Sequence, residues 1–424
     1  MVNLPADFVN ETRRIMGDER FNRYLGAFDE DAPVSIRVNR RRVGDGLKVM
    51  GDGGNQVPWC EEGFYLADRP QFTFDPLLHA GCYYVQEAAS MFVTHMLRTV
   101  YSGQFTVHSN HTSHLSVLNS QLALDLCAAP GGKSTALRHE LPDNCVLVSN
   151  EPMNTRAQIL LENVTKWGGA NHIVTNNYPR DFRKAKLKFD FILCDVPCSG
   201  EGMFRKDPAT ISEWSQQHVE KCWQLQREIV ADAWECLNPG GILIYSTCTF
   251  NTKENEENIQ WILDNYEAEV LDIPVDPAWH ITGSLLPGFS QPVYRFIPGI
   301  TRGEGLFVCA LRKKVDNGQL TVNSSSKNSP LSTIHSKLKV LEAELPTGSS
   351  KVDVDFPTAL QYLRGEALVL PADTPRGIVT ITYQGQPLGP AKNIGNRANN
   401  LYPKPWRIKS THLPSEAPKV IEKM

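Results

Sequence analysis

Short apolar runs alternate with longer segments of helical periodicity through the middle of the chain. Residues 122–126, 146–149, 172–175, 191–194 and 242–245 read as strands, and 133–141, 155–167 and 215–237 as helices. Apolar strands separated by helices predict a mostly parallel sheet covered on both faces. In the longest helix Val219, Trp223, Val230, Ala233 and Leu237 share a face, and Pro239-Gly240-Gly241 is expected to end it. Asn251 with Glu254 has the pattern of a capping box. It opens a further helix whose Ile259, Ile262, Leu263 and Tyr266 fall on one stripe. Residues 293–296 and 306–311 read as closing strands around 299–305.

The ends of the chain are organised differently. Residues 1–78 are expected to form an N-terminal RNA-binding segment, with a helix over 8–25 and a strand over 34–43 that carries Arg37, Arg40, Arg41 and Arg42. Those arginines suit either a solvated edge strand or contact with RNA. A helix is expected over 83–97, inside a central domain spanning 79–314. The Ser-, His- and Asn-rich stretch 101–121 lacks periodicity and reads as a surface loop; its His108, His111 and His114 have no carboxylate or cysteine beside them to complete a metal site. Around 315–350 the composition turns polar, with Ser324, Ser325, Ser326 and Ser329, and reads as a linker. Residues 351–424 form a last small unit with a hairpin signal at 377–389. From Ala391 onward seven Lys or Arg stand against Glu416 and Glu422, interleaved with Tyr402 and Trp406. That mixture suits phosphate contact with base stacking, or else a solvated hairpin with a packed Trp.

A chain of 424 residues predicts two or three domains, and 41% hydrophobic against 21% charged residues describes a globular protein with a sizeable core. A net charge of −4 argues against a highly basic coat protein while leaving room for a local basic groove. No apolar run approaches a bilayer span and the first 14 residues lack a signal-peptide core, so a cytoplasmic protein without a membrane partner is expected. The ten cysteines lack the spacing of a secreted scaffold and are expected to be free thiols.

Two segments carry chemistry. The first, Leu122-Ala-Leu-Asp125-Leu-Cys127-Ala128-Ala129-Pro130-Gly131-Gly132-Lys133, runs from strand through a glycine turn into a helix. Such a turn lets backbone N–H groups approach a nucleoside-type ligand, and Glu151, ending the second strand, can accept both ribose hydroxyls. Gly132-Lys133-Ser134 also matches the end of a P-loop, but Cys127 stands where that motif needs its first glycine. S-adenosylmethionine is the favoured ligand, with a P-loop nucleotide, NAD or a structural loop as competitors.

The second is a pair of cysteines, each following an apolar strand: Cys198 in Asp195-Val-Pro-Cys198-Ser-Gly and Cys248 in Tyr245-Ser-Thr-Cys248-Thr. Carbon 5 of cytosine becomes nucleophilic only after a thiolate adds at carbon 6, and a carboxyl group near ring N3 assists that addition. Asp195, Cys198 and Cys248 have the right identities, at strand ends that a doubly wound sheet brings together. A nucleophilic thiol needs a positive or helix-terminal environment. Cys248 precedes a helix start, and Arg205 and Lys206 are expected to approach it. Cys60, Cys82, Cys145, Cys194, Cys222, Cys236 and Cys309 are expected to pack as small apolar residues, with Cys127 under the loop. Cys194 and Cys198 lack the second pair that a zinc site needs, so no metal is expected.

Residues 127–133, 195–206 and 246–249 resemble the signature segments of the RNA cytosine-5 methyltransferases, the NOL/NSUN/Sun family. Tyr84-Val-Gln86-Glu87-Ala-Ala-Ser90 and Gly303-Glu-Gly305-Leu-Phe resemble its flanking segments. The run Ile394-Gly-Asn-Arg397-Ala-Asn-Asn400-Leu-Tyr402-Pro-Lys404 resembles the tail of its bacterial RsmF-type branch, which modifies small-subunit ribosomal RNA. The resemblance implies an α/β class I, Rossmann-like methyltransferase domain with a small α+β N-terminal segment and a C-terminal PUA-like β-rich domain. It implies Cys248 as nucleophile, Cys198 assisting product release, and residues 127–133, Glu151 and Asp195 at S-adenosylmethionine or the base. Where several relatives carry Asp after the third strand, this chain has Asn176-Asn177-Tyr178, with Asn177 the candidate for the adenine. The expected partner is ribosomal RNA, and the expected state a monomer. A transfer-RNA methyltransferase of the same family and a non-catalytic ribosome-assembly factor are the rival readings.

Overall fold

The structure is a computed structural model that describes residues 2–45, 47–50, 55–103, 106–107, 122–315, 330–348 and 350–423. His108, His111, His114 and the serine cluster of the expected linker lie outside the described residues.

The N-terminal unit begins with two helices, α1 (Ala6–Met16) and α2 (Asp18–Gly26), where one was expected. Gly17 separates them with φ +75°, a conformation that a residue with a Cβ rarely takes. Phe8, Met16, Phe21 and Tyr24 pack with Phe204 and Phe250, so this hairpin covers the outside of both cysteine loops.

Strand β1 (Val34–Val38) pairs with β2 (Gly63–Leu66) and β3 (Tyr83–Val85) in an antiparallel sheet. The expected helix over 83–97 therefore starts later, as α3 (Phe92–Ser102), after a strand and a single 3-10 turn at Ala89–Met91. The arginine strand is corrected as well. Arg37 is 1% exposed, donates from Nε to Gln86 Oε1 (2.8 Å) and from Nη2 to Thr135 Oγ1 (2.5 Å), and lies over the Trp167 ring. It is neither solvated nor open to RNA. Arg40, Arg41 and Arg42 stand on one short helix, Arg40–Val43, and lean on Glu62, Asp143 and the Lys166 carbonyl.

The central domain is close to the sequence expectation. Its elements run β4 (Leu122–Asp125), α4 (Gly132–Glu140), β5 (Val146–Asn150), α5 (Asn154–Trp167), β6 (His172–Thr175), β7 (Phe189–Asp195), α6 (Gln216–Cys236), β8 (Leu237–Thr247), α7 (Glu256–Asn265), β9 (Ala268–Asp272) and β10 (Leu306–Lys313). The strand order β6-β5-β4-β7-β8-β10-β9 is parallel from β6 to β8, and β10 is antiparallel to both of its neighbours. Pro239-Gly240-Gly241 belongs to the start of β8, where its pairing with β7 shifts register.

Alternation along the strands feeds two cores. Leu124, Ile192, Cys194, Leu243 and Tyr245 face α6 and α7, whereas Ala123, Phe191, Leu193, Ile242 and Ile244 face α3 and α4. Burial on both faces is why these strands read as unbroken apolar runs. The expected α7 stripe is present, with Ile259 and Ile262 fully buried. Within the stretch expected as a linker, Pro330–Lys337 is helical, and β11 (Val340–Leu341) adds to the sheet against β6. Among the described residues, no helix is long and apolar enough to cross a membrane.

The C-terminal unit contains β12 (Ser350–Asp353), α8 (Phe356–Arg364), β13 (Gly377–Tyr383), β14 (Gln386–Asn393) and β15 (Ala398–Asn400), joined in a four-stranded sheet in the order β12-β13-β14-β15. The hairpin turn takes positive φ at Gln384 and Gly385, as a two-residue antiparallel turn requires. Tyr402, expected as a surface base-stacking residue, is 2% exposed and packs in a core shared with Ile36, Leu77 and Tyr83. Lys166 lies over the Tyr402 and Trp406 rings, a further joint between the C-terminal unit and α5.

Candidate functional site

Strand β4 turns to β5 on one side, while β7 and β8 lie on the other. This is the switch point at which doubly wound sheets open a ligand cleft beyond the strand ends. The sequence-derived residues gather there. Gly131 takes φ +115° and Gly132 begins α4, so the 127–133 loop ends at a helix N-terminus. The loop is tied down from outside: Ala128 N–H donates to the Asn150 carbonyl (2.8 Å), Arg156 to the Ala129 carbonyl (2.9 Å) and Asn163 to the Pro130 carbonyl (2.8 Å). Cys127 is partly buried beneath it.

Asp125, at the end of β4, is fully buried, and the Ser134 hydroxyl donates to its Oδ2 (2.5 Å). Among the described residues its buried Oδ1 has no hydrogen-bond partner, and burial pushes the carboxyl up to about 7. Glu151 follows β5 at 2% exposure and accepts the Met153 N–H at 2.9 Å, with Arg156 3.5 Å from its other oxygen. Asn177 donates to the Lys339 carbonyl (3.1 Å) and accepts from the Lys339 N–H (3.0 Å).

Asp195, at the end of β7, is held from two sides: Lys133 Nζ donates to Oδ2 at 2.9 Å and Ser246 Oγ to Oδ1 at 2.7 Å. Burial opposes the Lys133 charge, but Asp195 outweighs it and holds the ammonium above its ordinary range. The glycine loop is thereby linked directly to the Asp195 strand end. Cys198 Sγ lies 3.2 Å from Cys248 Sγ, and the Cys248 N–H points at Cys198 Sγ (3.3 Å). Both thiols are partly exposed, whereas Cys60, Cys82, Cys145, Cys194, Cys222, Cys236 and Cys309 are buried. The hydrogen bond to Cys248, together with burial, pushes the Cys198 thiol well above its ordinary value.

The expected cations are not beside Cys248. Arg205 pairs with Glu304 (3.3 Å) and donates to the Glu30 carbonyl, and Lys206 is exposed. Lys133, supplied by the glycine loop and paired with Asp195, has Cys248 among the groups that favour its charge. Sequence reasoning also passed over Asp125 and Ser246, although both stand inside the two motifs. It missed Glu201, whose buried carboxylate accepts the backbone N–H groups of Phe250 (2.7 Å) and Asn251 (3.0 Å) and so pins the Cys198 loop to the Cys248 loop. Between those loops Gly202 N–H donates to the Cys248 carbonyl at 2.7 Å. A Cβ on Gly202 would meet Gly305 Cα at 2.6 Å and that carbonyl at 2.7 Å, so only glycine fits without movement. Asn251 and Glu254 do pair through Glu254 N–H and Asn251 Oδ1 (2.9 Å), but α7 starts later, with Asn255 as its N-cap. Glu62, His139 and Glu140 are close enough to share a metal ion, yet Arg98 already bridges the two carboxylates.

Three segments of the chain match described families: 16S rRNA methyltransferase RsmB/F over residues 112–312, the N-terminal domain of 16S rRNA methyltransferase RsmF over 4–88, and the methyltransferase RsmF PUA domain over 349–408. The chain belongs to the RsmB/F methyltransferase family. Its fold is accordingly a Rossmann-like methyltransferase domain between an RsmF-type N-terminal domain and a PUA domain. Among curated relatives, ribosomal RNA small subunit methyltransferase F of Pectobacterium carotovorum is 34% identical over 327 residues, covering 73% of this chain and 63% of that protein. The chain thus spans less than two thirds of the relatives it matches first. The Escherichia coli O6:H1 protein of the same name is 28% identical over 485 residues, with 95% and 96% covered. Among solved structures, a methyltransferase homolog from Pyrococcus horikoshii is similar at TM-score 0.56 and 27% identity, over 72% of this chain and 93% of that one. NSun6 from the same organism shares the fold at TM-score 0.57 and 20% identity, over 74% and 99%.

Proposed function

We propose that the protein is a cytoplasmic RNA methyltransferase that uses S-adenosylmethionine to form 5-methylcytosine in 16S ribosomal RNA. The observation that carries this reading is the pair of partly exposed thiols, 3.2 Å apart, at the ends of adjacent parallel strands, with Asp195 and Lys133 joining them to the glycine loop.

The cleft fits the cofactor on its own chemistry. A fully buried carboxylate oxygen of Asp125 without a partner among the described residues, beneath a loop that opens a helix, suits a ligand with a positively charged end. Glu151 supplies an acceptor for the ribose hydroxyls, and residues 127–133 supply the backbone. When bound, S-adenosylmethionine supplies the electrophilic methyl group that carbon 5 takes up.

The side chains divide the remaining work. Cys248 forms the bond to carbon 6 as a thiolate, which places electron density on carbon 5. Asp195, fixed by Lys133 and Ser246, hydrogen-bonds the ring edge and assists that addition. After methylation a base takes the carbon-5 proton, the freed electron pair restores the ring double bond and expels the Cys248 thiolate from carbon 6, and Cys198 assists release beside it. A paired cytosine cannot present carbon 6 to a thiol, so the base has to be unstacked or looped out.

The test is transfer of labelled methyl groups to purified ribosomal RNA, small subunits and transfer RNA. Label in ribosomal RNA or subunits at carbon 5 of cytosine, absent with Cys248→Ala, is the expected result. Label in transfer RNA alone would select the sibling activity, and none in any substrate would favour an assembly factor.

A further inference from the structure

One buried acid beside the thiols has no part in the chemistry above. Glu254 is fully buried, and its carboxylate accepts from the Ser199 backbone N–H (3.0 Å), Gln226 Nε2 (2.6 Å) and Asn251 Nδ2 (2.8 Å). All three donors are neutral, and among the described residues no ion pair reaches this carboxylate. Gln226 is fully buried on α6, where a polar side chain stands among apolar neighbours. Its Nε2 also donates to the Pro197 carbonyl (2.9 Å), while its Oε1 accepts from the Tyr245 hydroxyl (3.1 Å) and Asn258 Nδ2 (2.8 Å). The carbonyl before Cys198 and the N–H after it are therefore both held by this pair. Among the described residues, neither Glu254 nor Gln226 hydrogen-bonds to Cys248.

The charges around the two thiols differ accordingly. Facing Glu254 are Glu201 from the Cys198 loop, Cys222 on α6, Tyr245 on β8 and Cys198 itself. Lys133, paired with Asp195, has Cys248 but not Glu254 among the groups that favour its charge. Lys253, next in sequence to Glu254, is paired with Glu220 instead. Burial pushes Glu254 up to about 7, so it is charged above that pH, where an ordinary thiol ionises. A nearby anion disfavours a thiolate.

We propose that Glu254 is a positioning residue that separates the roles of the two cysteines: with Gln226 it fixes the Cys198 loop, and its charge adds to burial and the Cys248 hydrogen bond in keeping Cys198 a neutral thiol, leaving attack to Cys248. The idea deepens the functional reading and rests on it for the roles of the two thiols. Its chemistry can be measured without RNA.

In the full chain carrying Cys248→Ser, the pH dependence of iodoacetamide alkylation at Cys198 is followed by mass spectrometry, with and without Glu254→Gln. With Glu254 intact, half-maximal alkylation falls at least about one pH unit above that of an ordinary thiol. Glu254→Gln lowers that midpoint by about one unit or more, and Glu254→Asp restores much of it. An unchanged midpoint in a folded Glu254→Gln protein overturns the proposal. Should that variant not fold, an ordinary or lowered Cys198 midpoint in the Cys248→Ser protein overturns it equally. Methyl transfer is a separate readout. Its absence from the intact protein would remove the cytosine reading and with it the division of roles, whatever the alkylation midpoints show.

Discussion

Two buried glutamates, one at each end of the central domain's helical cover, show how the chain separates anchoring from chemistry. Glu62, next to β2, is 3% exposed and meets Arg98 at 2.8 Å, with His139 at 3.6 Å and Arg40 at 3.7 Å. Burial alone would raise its pKa, but the His139 hydrogen bond and the Arg98 charge overcome that and hold it at about 2. Glu254 is buried as deeply, has only neutral donors, and is pushed up to about 7. A balanced acid welds α3 and α4 to the N-terminal sheet. An unbalanced acid beside two thiols changes what those thiols can do.

The sharpest way to break this contrast is to remove one member from each region. Cys248→Ala should reduce methyl transfer to background while leaving the thermal midpoint nearly unchanged, because that thiol is partly exposed. Arg98→Met should do the reverse. It strands Glu62 and Glu140 without their guanidinium and should cost about 3 kcal/mol, the lower end of the range for a broken buried pair because Arg98 is 31% exposed. Urea unfolding would measure it, and the surviving folded fraction should still methylate RNA.

Gly202→Ala tests the seam between the cysteine loops. Its Cβ would meet backbone on two sides, so a loss of about 1–3 kcal/mol and a disproportionate fall in methyl transfer are expected. Loss of stability with unchanged specific activity would mean that the seam does not set the thiol geometry.

The pH dependence of stability has a sign that differs between the two acids. Glu62 has a folded pKa below its unfolded value, so its stabilisation is present above about 4.5 and is lost as pH falls toward about 2. Glu254 has a folded pKa above its unfolded value. It favours the fold in its protonated form, and stability declines as pH rises from about 4.5 through about 7. Glu62→Gln should therefore flatten the acid limb of a urea-midpoint profile, and Glu254→Gln the limb approaching neutrality.

The parallel sheet was legible in the sequence because strands buried on both faces leave continuous apolar runs, and their helices keep a regular stripe. The glycine loop was legible because its turn needs positive φ at Gly131, and the cysteines because each directly follows an apolar strand, where a thiol suits chemistry better than packing. The partners of the charged groups were not. Arg37 reads as polar, yet it is buried because Gln86, Thr135 and the Trp167 ring, distant in sequence, converge on it. Arg205 and Lys206 are close to Cys198 in sequence, but Lys133 is the cation paired with Asp195, since β4 and β7 are sheet neighbours. Gln226 gave no signal, because a single glutamine in a polar-rich helix looks solvated. The 83–97 stretch was misread because its apolar residues fit a strand followed by a helix as well as one helix.

The most direct test is to incubate the Cys198→Ala protein with substrate RNA and S-adenosylmethionine, denature it, and map any protein–RNA adduct by mass spectrometry of nuclease- and protease-digested material. A methylated cytosine nucleotide on the peptide containing Cys248 is the predicted result. An adduct on another residue, or a Cys198→Ala protein that releases methylated RNA as freely as the unaltered one, would contradict the division of work between the two thiols.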